Sequence, residues 1–238
     1  MRSYRTLGPV RAVTFDLDDT LYDNTPVIAA AESWYEAALA CHPMLRSSEL
    51  RLCPGRVRRM VLREFPELEH DVTLLRAEIL TRIFLDAGLA PADARREGEL
   101  MTRRFIQVRS AFRIPPETFA ILRNLGRRYP LVALSNGNMD PVRTGISSFF
   151  RSCIMAGGGR RAKPAPDLFA QAAALAGVEP GQILHVGDDP ETDILGARNA
   201  GMQTCMICPR GLFCRPERVR LLPDLVIRSL KELELVLL

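Results

Sequence analysis

The chain reads as an α/β fold: a parallel sheet with helices on both faces and a helical unit inserted after the first strand. Three observations predict it. Short apolar runs end on polar or glycine-rich loops at Ala12 to Leu17, Leu131 to Leu134, Ser152 to Met155, Ile183 to Val186 and Thr204 to Ile207. Helical stretches with recognisable ends separate the later runs. Between Asp23 and Arg113 the pattern is helical throughout, with no convincing strand.

The elements follow in order. After the first strand, Ala29 to Ala40, Arg56 to Phe65, Leu74 to Ala87 and Asp93 to Phe112 read as helices, broken at Pro43, Pro54, Pro66, Gly88 and Pro91. Pro115-Pro116-Glu117 opens a helix that ends near Arg127 and Arg128, where positive charge suits the negative end of the dipole. Pro166-Asp167 opens another that stops at Gly177, and Asp189-Pro190-Glu191 opens a third that stops at Gly201. Ser229, with Glu232 three residues on, is placed to cap a last helix. The predicted organisation is a Rossmann-like parallel sheet core from residues 1–22 and 114–238, carrying an inserted helical cap over 23–113.

Composition narrows the function. Hydrophobic residues at 47% and charged residues at 25% are globular values that exclude a disordered or fibrous chain. No run approaches the roughly 20 apolar residues of a membrane helix. Arg2, Arg5 and Arg11 are interrupted by Gly8 and Pro9 with no apolar signal core behind them, so the expected location is the cytoplasm. A net charge of +4, with arginines interleaved among Asp and Glu, leaves no nucleic-acid footprint. No obligate protein partner is inferred. The six cysteines read as reduced thiols. Cys205 and Cys208 form a C-x-x-C string, but strand alternation turns their sulfurs to opposite faces, against a zinc or redox site.

The chemistry sits at the strand ends. In Val13-Thr14-Phe15-Asp16-Leu17-Asp18-Asp19-Thr20, strand alternation puts Asp16 and Asp18 on one face at the carboxyl end, which borders the ligand crevice in open α/β sheets. Gly187-Asp188-Asp189-Pro190-Glu191-Thr192-Asp193 delivers a second acidic group in the same way. Carboxylates about 4 Å apart repel by roughly 4 kcal/mol at an effective dielectric of 20, so a converging cluster needs a cation. Carboxylate oxygens select a hard ion such as Mg²⁺. Leu134-Ser135-Asn136-Gly137 adds a hydroxyl and turn amides, and Ala162-Lys163-Pro164 adds a cation. Both suit phosphoryl oxygens, and the set is what phosphoryl transfer requires. Each element has an ordinary alternative: Asp189 as a helix cap before Pro190, Ser135 as a turn serine, Lys163 as a surface lysine. An EF-hand loop is excluded, because Leu21 and Val27 stand where Gly and Glu are needed. The elements together, in this order, mark a site.

Phe15-Asp16-Leu17-Asp18-Asp19-Thr20-Leu21, Ser135-Asn136-Gly137, Lys163-Pro164 and Gly187 to Asp193 resemble the four motifs of the haloacid dehalogenase superfamily of phosphohydrolases, and the resemblance covers nearly the whole chain. It implies that the strands of the first, second and fourth motifs are neighbours and that the helical insert closes over the substrate. It implies Asp16 as a nucleophile forming an aspartyl-phosphate, and Asp18 as the group that protonates the leaving oxygen and then activates water. Mg²⁺ would lie between the Asp16 carboxylate, the Asp18 backbone carbonyl and the Asp188 carboxylate. Ser135 and Lys163, with Asn136 beside them, would hold the phosphoryl oxygens. Asp193 and Asp189 would orient metal waters or Lys163, and Thr20 would brace the nucleophile loop.

A closer likeness runs through Tyr4 to Gly8, Leu21 to Asn24, His70 to Thr73, Asp86 to Leu89, Ser135 to Asn138 and Ile183 to Asp189. It is to a bacterial subgroup that dephosphorylates flavin mononucleotide and the phosphorylated ribitylaminouracil intermediate of riboflavin synthesis. The implied partner is a small phosphorylated substrate, with Tyr22, Trp34 and Tyr35 placed either to stack on a flat ring or to pack the insert. The alternatives are a broad sugar or nucleotide phosphatase, a phosphomutase, and, from another class, a non-catalytic phospho-Asp receiver or binding protein. Asp18 argues against carbon–halogen hydrolysis, which has no alcohol to protonate. The absence of lysine from the insert excludes Schiff-base phosphonate hydrolysis.

Overall fold

The computed structural model describes residues 1–209 and 221–238. Among them, one seven-stranded sheet is built from β1 (Arg2–Ser3), β2 (Ala12–Phe15), β3 (Leu131–Ser135), β4 (Ser152–Met155), β5 (Ile183–Gly187), β6 (Gln203–Ile207) and β7 (Leu225–Ile227). The order is β1-β7-β6-β5-β2-β3-β4, parallel throughout except for β1 against β7. The motif strands β2, β3 and β5 are thus adjacent at the centre.

Burial explains their composition. A parallel sheet covered on both faces reads as a continuous apolar run. Val13, Phe15, Leu131, Ala133, Leu184 and Val186 pack into one cluster, while Ala12, Val132, Leu134 and Ile183 pack into another with Phe169. Each large side chain so buried contributes about 1.5–3 kcal/mol.

The insert follows β2 as α1 (Thr25–Cys41), α2 (Pro54–Glu64), α3 (Val72–Asp86) and α4 (Pro91–Arg109), with α5 (Pro116–Gly126) leading into β3. Helices α1 to α4 have an apolar cluster of their own, with Ala31, Tyr35, Leu39, Val57, Leu80, Phe84 and Phe105 buried in it. Helices α3 and α4 approach closely because Gly98 has no side chain; a Cβ there would lie 2.9 Å from the Ala77 carbonyl oxygen. Asp71 caps α3 through the amides of Thr73 and Leu74 and also accepts from Gly158 N at 3.1 Å, which ties the insert to the loop after β4.

The remaining helices are α6 (Asp167–Ala176), α7 (Gly196–Asn199) and α8 (Leu230–Leu237). Gly177 ends α6 in the left-handed conformation at φ 71°. Four sequence expectations are corrected. The sheet has two further strands, β1 and β7, too short to show a pattern, so the insert follows the second strand in chain order. The helix expected from Asp189 to Gly201 is present, but its first part, Pro190–Leu195, is wound as a π-helix, and only the short α7 that continues it is α-helical. Ser229 makes no side-chain capping bond; Glu232 instead accepts from Arg228 N at 3.0 Å. Finally, β2 stops at Phe15, so Asp16 and Asp18 lie in the loop beyond it.

Cys205 and Cys208 are buried in different apolar clusters, as strand alternation requires, and Cys214 lies outside the described residues. No helix among the described residues is long and apolar enough to cross a membrane.

Candidate active site

The loop after β2 aims its carboxylates by burying what lies between them. Asp16 N still donates to Val186 O at 2.9 Å, continuing the alignment with β5. Leu17 and Leu21 are fully buried and joined by a Leu21 N to Leu17 O bond of 3.0 Å. The chain then turns through Asp19 at φ 58°. Asp16 and Asp18 therefore share a side because the intervening leucine is anchored in the core. Phe15 and Leu17 fall in one apolar cluster, so the in-and-out alternation of β2 carries on through Leu17.

Lys163 is the centre of the charge network. Its side chain is 1% exposed, and Nζ donates to Asp16 Oδ1 at 2.6 Å, Asp193 Oδ1 at 2.6 Å and Leu134 O at 3.1 Å. All three ammonium hydrogens have acceptors. Asn136 positions this residue: its Nδ2 donates to Lys163 O and its Oδ1 accepts from Lys163 N, both at 2.8 Å. The Asn136 side chain is thus committed to bridging two loops. Ser135 Oγ accepts from Gly137 N at 2.9 Å and lines a small cavity together with Asp16, Asp18, Lys163 and Asp188.

Behind Lys163 stands a buried polar chain. Asp193 Oδ2 accepts from Asp189 N at 3.1 Å, and Asp193 Oδ1 lies 3.3 Å from His185 Nε2. A carboxylate only accepts, so Nε2 carries the hydrogen; burial keeps the imidazole neutral, and Nδ1 then accepts from the Thr14 hydroxyl at 2.9 Å. Asp189 Oδ1 caps the following turn through the amides of Glu191 and Thr192, both at 2.9 Å, which gives it the helix-cap role. Thr20 Oγ1 donates to Asp188 Oδ1 at 3.4 Å, bracing the cluster from the loop after β2.

Arg109 was not anticipated at the site, and Tyr22 enters it in a role other than ring stacking. Arg109, at the end of α4, places Nη2 2.5 Å from Asp18 Oδ2. Tyr22 donates its hydroxyl to Asp18 Oδ1, and its ring packs on Phe112 with centroids 4.6 Å apart. Tyr22 is thereby buried as a partner of Asp18, and Tyr35 packs edge-on against Phe105. Trp34 is only partly buried at the margin of the insert's cluster.

The cluster is short of positive charge. Carboxylate oxygens of Asp16, Asp188 and Asp193 lie within 4.8 Å of one another. Burial disfavours the Lys163 ammonium, but Asp16 and Asp193 outweigh it and hold the charge. Burial likewise opposes ionisation of Asp193, and Lys163 with His185 overcomes it, so this carboxyl sits well below the usual range. Asp16 lacks the same compensation: burial pushes it well up, aided by Asp193 and Asp188 and opposed by Lys163. Burial, then Asp193, Asp19 and Asp189, raises Asp188 to about 7. Both oxygens of Asp193 are engaged inside the protein, which leaves Asp16 and Asp188 as the carboxylates open to a cation. An oxygen-only donor set with excess negative charge fits a hard divalent ion.

One prediction follows for the metal-free protein. A carboxyl whose folded pKa lies above its unfolded value costs stability once ionised. For Asp188 that cost accumulates from its ordinary 3.8 up to about 7. Asp188→Asn is therefore expected to raise the melting midpoint at pH 8 without divalent ions, by about 5 °C. The gain should shrink as the pH falls toward 4, and melting curves across that range measure it.

The parallel sheet thus brings Asp16, Lys163 and Asp188 together at the carboxyl ends of its strands. Residues 10–201 match the haloacid dehalogenase-like hydrolases, and the chain belongs to that family. The chain is 41% identical to the 5-amino-6-(5-phospho-D-ribitylamino)uracil phosphatase YigB of Escherichia coli, over 98% of each chain. It is 27% identical to human N-acylneuraminate-9-phosphatase, covering 97% of this chain and 95% of the relative. Among solved structures, a 2-haloacid dehalogenase from Pseudomonas syringae superposes with a TM-score of 0.87 at 33% identity, covering 96% of this chain and 98% of that one.

Proposed function

We propose that the chain is a Mg²⁺-dependent phosphomonoesterase that works through an aspartyl-phosphate on Asp16 and acts on the phosphorylated ribitylaminouracil intermediate of riboflavin synthesis, on flavin mononucleotide, or on both. The observation that carries the reaction is the placement of Asp18 beside Asp16, Ser135, Lys163 and Asp188 around one cavity of ≈ 150 Å³. That cavity takes the phosphoryl end of a substrate, and the remainder lies toward the helical insert. The 41% identity to the Escherichia coli phosphatase, over 98% of each chain, supports the substrate class.

The steps follow from the side chains. Lys163 holds Asp16 Oδ1, which leaves the other carboxylate oxygen to attack phosphorus. As the bond to the leaving oxygen breaks, Asp18 supplies its proton. Asp18 then takes a proton from water as the water oxygen attacks the aspartyl-phosphate, releasing phosphate and restoring Asp16. Ser135 donates its hydroxyl to a phosphoryl oxygen through both steps, and Lys163, whose three hydrogens are held by Asp16, Asp193 and Leu134 O, supplies its positive charge beside them. When bound by the Asp16 and Asp188 carboxylates and the Asp18 backbone carbonyl, Mg²⁺ supplies the positive charge that the cluster lacks. In this reading residues 23–113 form the cap, residues 1–22 and 114–238 the core, and the enzyme works in the cytoplasm. Exhaustive chelation is expected to abolish turnover and added Mg²⁺ to restore it. Full activity in the chelated protein would reject the cation's part in the reaction.

The dehalogenase among the similar structures supplies the competing reading. A halide leaving group needs no proton, so Asp18 would have no task there. The deciding experiment is a release assay over the uracil intermediate, flavin mononucleotide, nucleotide and sugar phosphates, and a 2-haloacid. Phosphate release, strongest from the ring-bearing ribityl phosphates, is the expected result. Halide release without phosphate release would overturn the reaction, and preference for a sugar phosphate with neither ribityl compound cleaved would overturn the substrate.

A further inference from the structure

Asp18 is held from both sides by groups at the junctions of the helical insert. The chain enters the insert past Tyr22, whose hydroxyl bonds Asp18 Oδ1. It leaves the insert at Arg109, whose side chain is 7% exposed and whose Nη2 bonds Asp18 Oδ2 at 2.5 Å. The exit is fixed in place: Ser110 Oγ accepts from Asp140 N at 2.9 Å, tying the end of α4 to the loop that follows β3. That same loop makes room for the arginine. A Cβ at Gly137 would lie 2.6 Å from Asp18 Oδ2 and 2.9 Å from Arg109 Nη2, so any side chain there would displace the pair. Arg109 Nε is buried without a hydrogen-bond partner among the described residues, so Asp18 is the group that aims this guanidinium.

From this geometry we infer that Arg109 is a positioning residue for proton transfer: it orients the Asp18 carboxyl from the insert, so the seating of the insert on the core sets the alignment of Asp18 with the leaving oxygen. The inference rests on the phosphatase reading, in which the Asp18 proton passes to the leaving oxygen as the phosphorus–oxygen bond breaks. An arginine that served the fold alone would affect every substrate alike. One that acts through Asp18 matters most where the leaving group needs a proton.

The test compares kcat/KM on p-nitrophenyl phosphate, whose leaving group departs unprotonated, with kcat/KM on flavin mononucleotide or ribose 5-phosphate, whose alkoxide does not. Arg109→Met is expected to lose about tenfold more on the alkyl ester than on the aryl ester, a part of the 10²–10⁴-fold that general acid catalysis supplies. Asp18→Asn should discriminate in the same sense and more strongly, and Arg109→Lys should recover part of the ratio. Both esters are assayed on one preparation, so a misfolded fraction cancels. Equal losses in Arg109→Met, with discrimination kept in Asp18→Asn, would overturn the role of Arg109 and leave the phosphatase mechanism standing. Equal losses in both variants would overturn the proton-donor assignment and this proposal together.

Discussion

Asp16→Asn is expected to lower turnover by roughly 10⁴-fold or more while leaving the fold intact, because a carboxamide cannot form the acyl phosphate. The substitution is nearly isosteric at a buried position, so packing hardly changes. Lys163 keeps Asp193 at 2.6 Å and Leu134 O at 3.1 Å, so its charge stays paired. Burial already disfavours the Asp16 carboxylate, and removing that charge carries little penalty in stability. Melting midpoints near the parent value, with no phospho-enzyme trapped by rapid quench, are the paired result that supports the assignment. Wild-type turnover in Asp16→Asn would place the nucleophile on another residue.

The parallel core was legible because its strands are buried on both faces and its helices carry end signals in sequence, such as Gly177 after α6. Strands β1 and β7 were not, since two or three residues hold no periodicity and their pairing is set by the rest of the sheet. Asp16 and Asp18 were legible as a pair from alternation, and the structure adds that this alternation runs past the end of β2, with Leu17 buried between them in the loop. Arg109 was hidden among the many arginines of the insert, and it meets Asp18 91 positions away in sequence. Its signal was positional. The buried stripe of α4 runs through Ala94, Gly98, Met101, Phe105 and Arg109, so a charged residue continues an apolar face at helical spacing. A charge in that register needs a buried partner. His185 sends the same message from the otherwise apolar β5, and Thr14 with Asp193 answers it.

Lys163→Met should weaken both the fold and the reaction. Removing one partner of a buried ion pair costs about 3–5 kcal/mol, because the remaining charge keeps its desolvation penalty and loses its compensation. Here one ammonium serves two buried carboxylates, Asp16 and Asp193, and methionine fills its volume without supplying a donor. A chain of this size should then melt about 10 °C lower at pH 7.5. The pH dependence separates charge from packing. Asp193 is held well below its ordinary pKa by Lys163 and His185, against burial, so its stabilising contribution is present above its unfolded value of 3.8 and fades as the pH falls below it. The gap between parent and variant should therefore narrow in acid, whereas a packing defect would keep it constant. Turnover should fall by about 10³-fold, the scale of losing an oxyanion-stabilising donor, and it should stay low wherever the variant is folded. A Lys163→Met protein that melts within about 2 °C of the parent at pH 7.5, well under the shift expected for breaking a buried pair, would show that Lys163 does not hold the acidic cluster together.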